Sequence, residues 1–422
     1  MIGNAGARPA WRGRAVACAL AGLLLGGCAT PTPAPPISLA GVPAAQRGRA
    51  ESNVRVFERV WSLVADHHYD ATLHGVDWPA AGRRYGAEAA AAGDDRALYA
   101  TLNALVGLLH DSHTEAYSPQ EARERRTERG VRVGISWRRV EGRPVVDEVR
   151  PGSPAEQAGV KVGWILVARN GMPAGSHEDL KLPDGEPLVF DFLDEGDRPV
   201  RVSVQRRPIS IAARQVVREL DGGFVYLRFD EFNGKGMHWL SGELKKHAAA
   251  PGAVIDLRRN PGGVVYSLEF GVGEFFDHAV ELGTDISRDG GRDGTNSWQF
   301  ASAQFRGKVA VLVDRMTASS GEIFSAVLQE HGRAIIVGRR TAGAVQASSY
   351  YSLPDGGELQ LSLTDYVTPH GRRLEGAGVT PDVPVAARFD SIAGLRAGRD
   401  LDLAAALAAL KTDGTNGATL AK

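Results

Sequence analysis

Two adjacent serines, Ser319 and Ser320, stand in the stretch MTASSGE (Met316–Glu322), between an apolar run and an amphipathic one. The setting predicts a buried strand handing over to a helix, and two kinds of chemistry suit it. Ser319 followed three residues later by Glu322 fits a capping box, S-x-x-E, ahead of EIFSAVLQ. The same turn would hold a serine hydroxyl at the positive end of a helix dipole, beside N–H groups that no helical carbonyl takes up. A nucleophile attacking a carbonyl needs that setting, and so do the donors that receive the oxyanion. A free hydroxyl attacks poorly, so a base must reach it. No G-x-S-x-G surrounds Ser319, so an α/β-hydrolase elbow is not supported.

A second segment, DLRRNPGG (Asp256–Gly263), ends a predicted buried strand in Asn-Pro-Gly-Gly. Glycines there tolerate positive φ and let the backbone approach another group closely. The N–H of Gly262 or Gly263 could then join that of Ser320 as an oxyanion pair; an ordinary strand-end turn has the same sequence signature. A third segment, HDSHT (His110–Thr114), ends a predicted helical stretch. His110 and His113, with His67 and His68 of DHHYD, raise the question of a metal. No H-E-x-x-H or second ligand cluster accompanies them, so neither metal nor cofactor is expected.

The surrounding pattern changes twice. From about 51 to 117 it is helical: Val54, Phe57, Val60, Trp61 and Val64 recur at helical spacing, as do Leu98, Leu102, Leu105, Val106 and Leu109, with Asp94 or Asp95 as a cap. From about 121 to 207, VRVGISW, RPVVDEVR, WILVARNG and PVRVSVQR read as short alternating strands. Between them a turn, a short helix over Pro154–Ala158 and Gly159 as its stop are predicted. From about 215, GGFVYLRF, GAVIDLRR, KVAVLVD and RAIIVG are near-continuous apolar strands separated by helices, the pattern of a sheet buried on both faces. YYSLPDGGELQLSLTDYVT reads as a hairpin around Asp355-Gly356-Gly357, and LDLAAALAAL as a last helix.

Two resemblances follow from these motifs. PGSPAEQAGVKVGWILVARNGMP resembles a PDZ domain of the bacterial protease-associated kind. Such a domain adds a peptide as a strand and holds its carboxylate in a backbone nest, here expected at Gly130, Val131, Val133, Gly134 and Ile135. GAVIDLRRNPGG, KVAVLVDRMTASSGEIFSAVLQEHGRAIIVGRRTAG and LPDGGELQLSLTDYVTPHGRRLEGAGVTPDVPV, in that order, resemble the serine peptidase family that unites carboxyl-terminal processing (tail-specific) proteases with the tricorn core protease. The resemblance covers roughly residues 51 to 410. It implies a mixed α+β multidomain chain of the α/β class, with an N-terminal helical region (51–120), an inserted PDZ β-domain (121–207) and a crotonase-like α/β protease core (208–410), then a short tail (411–422).

The family has two catalytic styles. Processing proteases use a Ser–Lys dyad with the lysine in T-x-G-K-G. Here that stretch is Thr341-Ala342-Gly343-Ala344-Val345-Gln346, and no lysine occurs between Lys308 and Lys411. Arg339 and Arg340 cannot replace it, because a guanidinium keeps its proton. The tricorn-like style uses Ser, His, a second Ser and Glu. The resemblance then implies Ser319 as nucleophile, His113 as general base, Ser112 and Glu375 as the groups that orient it, and Ser320 as an N–H donor alongside Gly262 or Gly263.

The first residues predict an address rather than a fold. Arg8, Arg12 and Arg14 precede AVACALAGLLLGG, and LGGC (Leu25–Cys28) resembles a bacterial lipobox. The expectation is a signal peptide over 1–27, lipidation at Cys28, an outer-membrane anchor facing the periplasm, and a Pro- and Ala-rich tether over 28–50. Cys18 would leave with the signal, so no thiol pair remains. With 49 basic against 50 acidic residues, no electropositive field invites nucleic acid. The expected function is a serine endopeptidase acting on peptides or unfolded proteins. An inactive, lipid-anchored peptide-binding scaffold and a hydrolase of small esters or lipid-like ligands remain alternatives at this point.

Overall fold

The computed structural model describes residues 32–174, 186–300 and 305–412. Cys18, Cys28, the apolar run and the first residues of the expected tether lie outside the described residues. So does the tail beyond residue 412.

Three helices, α1 (Arg47–His67), α2 (Trp78–Ala90) and α3 (Asp95–Val106), build the helical region. Their apolar faces meet around Phe57, Val60, Trp61, Leu98, Leu102 and Leu105. Val54, assigned to that face from the sequence, is only half-buried, and Val56 takes its place in the core. Asp94 caps α3 through the N–H of Ala97. This core is not closed by helices alone: Leu353, Leu359 and Leu361 of the hairpin far along the chain complete it. The described part of the tether is also not an extended spacer. Gly82 and Gly86 leave a groove on α2, where a Cβ would lie 2.9 Å from the Pro35 side chain and 2.8 Å from that of Ile37. Thr32 hydrogen-bonds Asp66 on α1. Two apolar residues and two missing side chains thus dock this Pro-rich stretch against the helix.

Residues 135–204 form an antiparallel sheet in the order Ile135–Val140, Arg143–Val149, Ile165–Arg169, Leu188–Leu193, Pro199–Val204. The four-residue helix Pro154–Gln157, capped by Ser153, packs on it, and Val146, Ala155, Trp164, Leu166, Phe190 and Phe192 fill the space between. VRVGISW is not one strand. It breaks at Gly134 (φ +86°), and its first half, Arg129–Arg132, pairs with Arg207–Ser210 instead.

The third unit is a six-stranded sheet in the order Gln215–Glu219, Val225–Phe229, Gly252–Asp256, Lys308–Val313, Ile335–Gly338, Val383–Pro384. All neighbours but the first pair are parallel. Its central strands are buried on both faces, as their unbroken apolar runs predict. A second, antiparallel sheet is organised on the strand Glu358–Val367, which pairs with Glu115–Tyr117, Glu281–Ser287 and Ala347–Ser352. The molecule is therefore of mixed α/β class.

The last helix, Leu401–Lys411, is tied to the parallel sheet by a buried ionic cluster. Arg258 pairs with Asp256, Asp400 and Asp402, and Arg339 also pairs with Asp402, whose side chain is fully buried. Removing Asp402 takes the carboxylate from Arg339 and one of three from the buried Arg258. Asp402→Ala is expected to destabilise the protein by about 3–5 kcal/mol, read as a lowered midpoint of urea unfolding; an unchanged midpoint would show that the cluster adds nothing.

Candidate active site

Parallel strands deliver loops side by side at their carboxyl ends, where open α/β sheets gather ligands. Three adjacent strands do so here. Gly252–Asp256 leads into Asn260–Gly263, Lys308–Val313 into the turn at Ser319, and Ile335–Gly338 into residues 341–345. The turn is stitched to the first loop: Ala318 N–H donates to Asn260 O at 3.0 Å and Thr317 Oγ1 to Leu257 O at 2.8 Å.

Ser319 precedes the helix Ser320–Glu330 with φ +52° and ψ −125°, a backbone conformation costly for a residue with a Cβ. The expected capping box is not formed, because the Ser319 hydroxyl makes no hydrogen bond to the helix. Glu322 points elsewhere. Its buried carboxylate accepts from Thr341 Oγ1 and from the N–H groups of Gly343 and Ala344, both at 2.7 Å. Ala344 in turn accepts the Ser319 N–H at 2.6 Å. A genuine capping box exists at Ser118 and Glu121 instead. The sequence pattern is the same at both places; tertiary hydrogen bonds decide which one forms.

Gly262 (φ +102°) and Gly263 (φ +145°) allow the first loop to press against this turn. A Cβ on Gly262 would lie 2.5 Å from Ser319 Cβ, and one on Gly263 2.2 Å from Phe232 O. The two glycines differ as donors. The Gly262 N–H is taken by Asn260 Oδ1 at 2.8 Å, which removes Gly262 from the oxyanion candidates. The N–H groups of Gly263 and Ser320 have no acceptor among the described residues, and Ser320 Oγ donates to Gly263 O at 2.9 Å, holding the two together.

His113 reaches this place although some two hundred residues separate it from Ser319. The strand Glu115–Tyr117 carries it there by pairing Glu115 with Gln360. Ser112, His113, Gly262, Gly263, Ser319 and Ser320 all line one cavity of about 890 Å³. Ser112 Oγ lies 2.7 Å from His113 Nδ1, and Ser112 is also close enough to Glu375 to act on its titration. An ionised carboxylate only accepts, so with the Ser112 proton turned toward Glu375 the Ser112 oxygen accepts from His113 Nδ1–H. That leaves the Nε2 lone pair free. Burial pushes the His113 pKa below its ordinary value, although the Asp111 charge opposes it. Burial also raises the Glu375 pKa, opposed by the N–H of Val345 and by Ser112. His110 sits apart from these groups with φ +52°, in the left-handed region.

The match to known proteins is with peptidases. The model of peptidase family S41 matches residues 223–385, and that of the tricorn protease C1 domain matches residues 50–107. Residues 223–385 belong to peptidase family S41. This S41 domain and its flanks are 26% identical over 385 residues to the chloroplastic carboxyl-terminal-processing peptidase 3 of Arabidopsis thaliana, covering 84% of this chain and 73% of that protein. A putative tricorn protease homolog 2 of Streptomyces coelicolor is 31% identical over 271 residues, 63% of this chain and 21% of that protein. Among solved structures, the photosystem II D1 C-terminal processing protease is similar with a TM-score of 0.54 at 21% identity, covering 82% of this chain and 96% of that one. The tricorn protease is similar with a TM-score of 0.52 at 17% identity, covering 86% and 36%. S41 is a family of serine peptidases, and the match over residues 223–385 supports a serine-type hydrolase.

The S41 domain has features that were silent in the sequence. Asn260, Glu322 and Thr341 shape the loops, yet each reads there as a turn or cap residue. In the sheet of residues 135–204, Val133, Gly134 and Ile135 line a cavity of about 210 Å³ with Arg132, Arg150 and Arg214. Gly130 and Val131 do not join them, because they pair with Ile209 and Pro208 in the two-stranded ribbon. Of the residues expected to form a nest, Val133, Gly134 and Ile135 line this cavity and Gly130 and Val131 do not. Glu322 provides the test of how the S41 loops are held. Glu322→Ala orphans the buried N–H groups of Gly343 and Ala344 and should cost roughly 2–6 kcal/mol, at 1–3 for each unpaired group, measured by urea unfolding. A loss under half of one kcal/mol or so would mean that water replaces the carboxylate.

Proposed function

We propose that the chain is a serine endopeptidase of the Ser/His/Ser/Glu type, in which Ser319 attacks the scissile carbonyl. The observation that carries this reading is the convergence of a strained, uncapped serine hydroxyl with a neutral histidine in one cavity. In the proposed reaction Nε2 of His113 takes the Ser319 proton as Oγ bonds to the carbonyl carbon. The carbonyl oxygen becomes an anion and is received by the N–H groups of Gly263 and Ser320. The imidazolium then gives its proton to the leaving amine as the C–N bond breaks. Water repeats the sequence on the acyl-enzyme, releasing the acid and restoring Ser319. Ser112 and Glu375 keep His113 in the Nδ1–H tautomer and stabilise the imidazolium. Val264, Val265, Leu268, Leu282, Ile323 and Tyr366 give the cavity an apolar wall suited to a substrate side chain.

Ala344 stands where a processing protease would have its lysine, and its carbonyl is engaged with Ser319 N–H. That favours a histidine base over a dyad. The residues from 121 to 207 are inferred to serve as a PDZ-type peptide-binding domain. The short helix against the antiparallel sheet supports it, as does the cavity at Val133–Ile135, where Arg150 stands beside Arg132 and Arg214, which are paired with Glu124 and Glu148. Lipidation at Cys28 and a position in the bacterial envelope, facing the periplasm, are proposed from the lipobox resemblance alone. Palmitate labelling of the wild type and of Cys28→Ala tests that.

A fluorophosphonate serine probe separates the enzyme from an inactive peptide-binding scaffold. Labelling should fall on Ser319, vanish in Ser319→Ala and drop at least ~10²-fold in His113→Ala. Peptide binding without labelling would favour the scaffold. The pH dependence follows from His113. Protonation of Nε2 removes the base, so the rate is present above the His113 pKa and is lost as pH falls through it. Because burial depresses that pKa, the acid midpoint should lie below 6.5, the ordinary value. A midpoint above 6.5 would contradict the assignment.

A further inference from the structure

Behind the catalytic histidine lies a second imidazole that the proposed mechanism does not use. His68, at the end of α1, places Nε2 2.7 Å from Asp111 Oδ2, and the two side chains are 0% and 1% exposed. Asp111 is the residue between His110 and Ser112. Its Oδ1 accepts the N–H of His113 at 3.1 Å and that of Thr114 at 2.7 Å, and its Oδ2 also accepts Thr114 Oγ1 at 2.7 Å. Nδ1 of His68 lies 3.2 Å from both the N–H and the carbonyl oxygen of Asp70, and its Nε2 faces Asp111. An imidazole, two backbone N–H groups and a hydroxyl thus surround one carboxylate.

The pair joins three elements. Arg288 fastens the carbonyls of Ala65 and His68 at the end of α1. Thr114 Oγ1 accepts the N–H of Ser362 at 3.2 Å, and Tyr69 N–H donates to Ser362 O at 3.1 Å. The turn carrying His113 is therefore pinned between α1 and the strand Glu358–Val367.

A turn does not need a buried charge for this. An asparagine would accept the same backbone N–H groups without the desolvation cost of an anion. What the aspartate adds is charge. Burial would raise its pKa, but the hydrogen bonds from His68 and Thr114 outweigh that and hold the carboxyl below its ordinary value. Around the same corner stand Glu375, Asp365, Arg373 and Tyr69.

We propose that Asp111, locked by His68, is a positioning residue for the His113 base: it fixes the backbone of the turn that presents the imidazole and keeps a second negative charge beside it. The inference rests on His113 being the base for Ser319. The charge of Asp111 favours the imidazolium that forms as Ser319 loses its proton, adding to what Glu375 does through Ser112.

The test measures the rate of fluorophosphonate labelling at Ser319 against pH, in the full chain. Asp111→Asn should label ~10²-fold more slowly, the scale of a small misplacement of a catalytic group. Its acid midpoint should also move to lower pH, because removing a negative charge lowers the pKa values of both His113 and Glu375. A purely structural role predicts a slower rate with the midpoint unmoved, and that result overturns the proposal, as does a wild-type rate. If Asp111→Asn does not fold, His68→Phe decides: it removes the donor and fills the space, and slower labelling supports the pair while wild-type labelling sinks it. A wild-type protein that is not labelled at Ser319 at all removes the peptidase reading and this inference with it. A labelled wild type with an indifferent Asp111→Asn removes only the inference.

Discussion

The site depends on one buried carboxylate, Glu322. Its position in the sequence suggests a helix cap, where it would reach back toward the N-cap backbone while Ser319 bonded its own helix. In the fold it accepts instead from the loop at Thr341, Gly343 and Ala344. Once that loop is fixed, the Ala344 carbonyl takes the Ser319 N–H and holds the residue at φ +52°. The strain is sustained because the surroundings over-determine it. The hydroxyl is thereby released from capping and turned into the cavity. A carboxylate with fewer partners would not offset its own desolvation, and burial does push the Glu322 pKa upward even with three donors present.

The same logic runs through the rest of the cavity. Hydrogen bonds between the cavity's own residues occupy some polar groups, and the groups left over face the open space. Asn260 absorbs the Gly262 N–H and so selects Gly263 as the free donor beside Ser320. Ser112 stands between Glu375 and His113, which fixes the proton on one ring nitrogen and exposes the other. Asp111 acts on the histidine by its charge and Glu375 stands by Ser112, while burial holds the His113 pKa below its ordinary value.

Much of this architecture was legible along the chain. The unbroken apolar runs identified the parallel strands, because a strand covered on both faces has no polar side to alternate. Asp94 marked the start of α3, and Asp355-Gly356-Gly357 the turn of the hairpin. VRVGISW misled, since nothing in its alternation says that Gly134 breaks it and sends each half to a different partner. The Pro-rich stretch misled too, because a PPII tendency says nothing about a glycine groove on a helix elsewhere. The helical region looked independent in sequence, but three leucines from residues 353–361 complete its core.

By itself, the sequence determined the element types, the serine pair at a strand-to-helix turn, the glycines able to approach it, and the absence of a lysine nearby. Those are matters of local backbone preference and chemical identity, which a chain carries wherever it folds. Only the tertiary structure decided that Ser319 does not cap its helix, that Gly263 rather than Gly262 keeps a free N–H, and that His68 stands behind Asp111. Each turns on which of several available hydrogen bonds a group makes, whether with a residue two positions away, as for Gly262, or with one on another element, as for Glu322 and Asp111. The outcome is set by which donors the packed sheets bring within about 3 Å of one another, and no linear spacing encodes that.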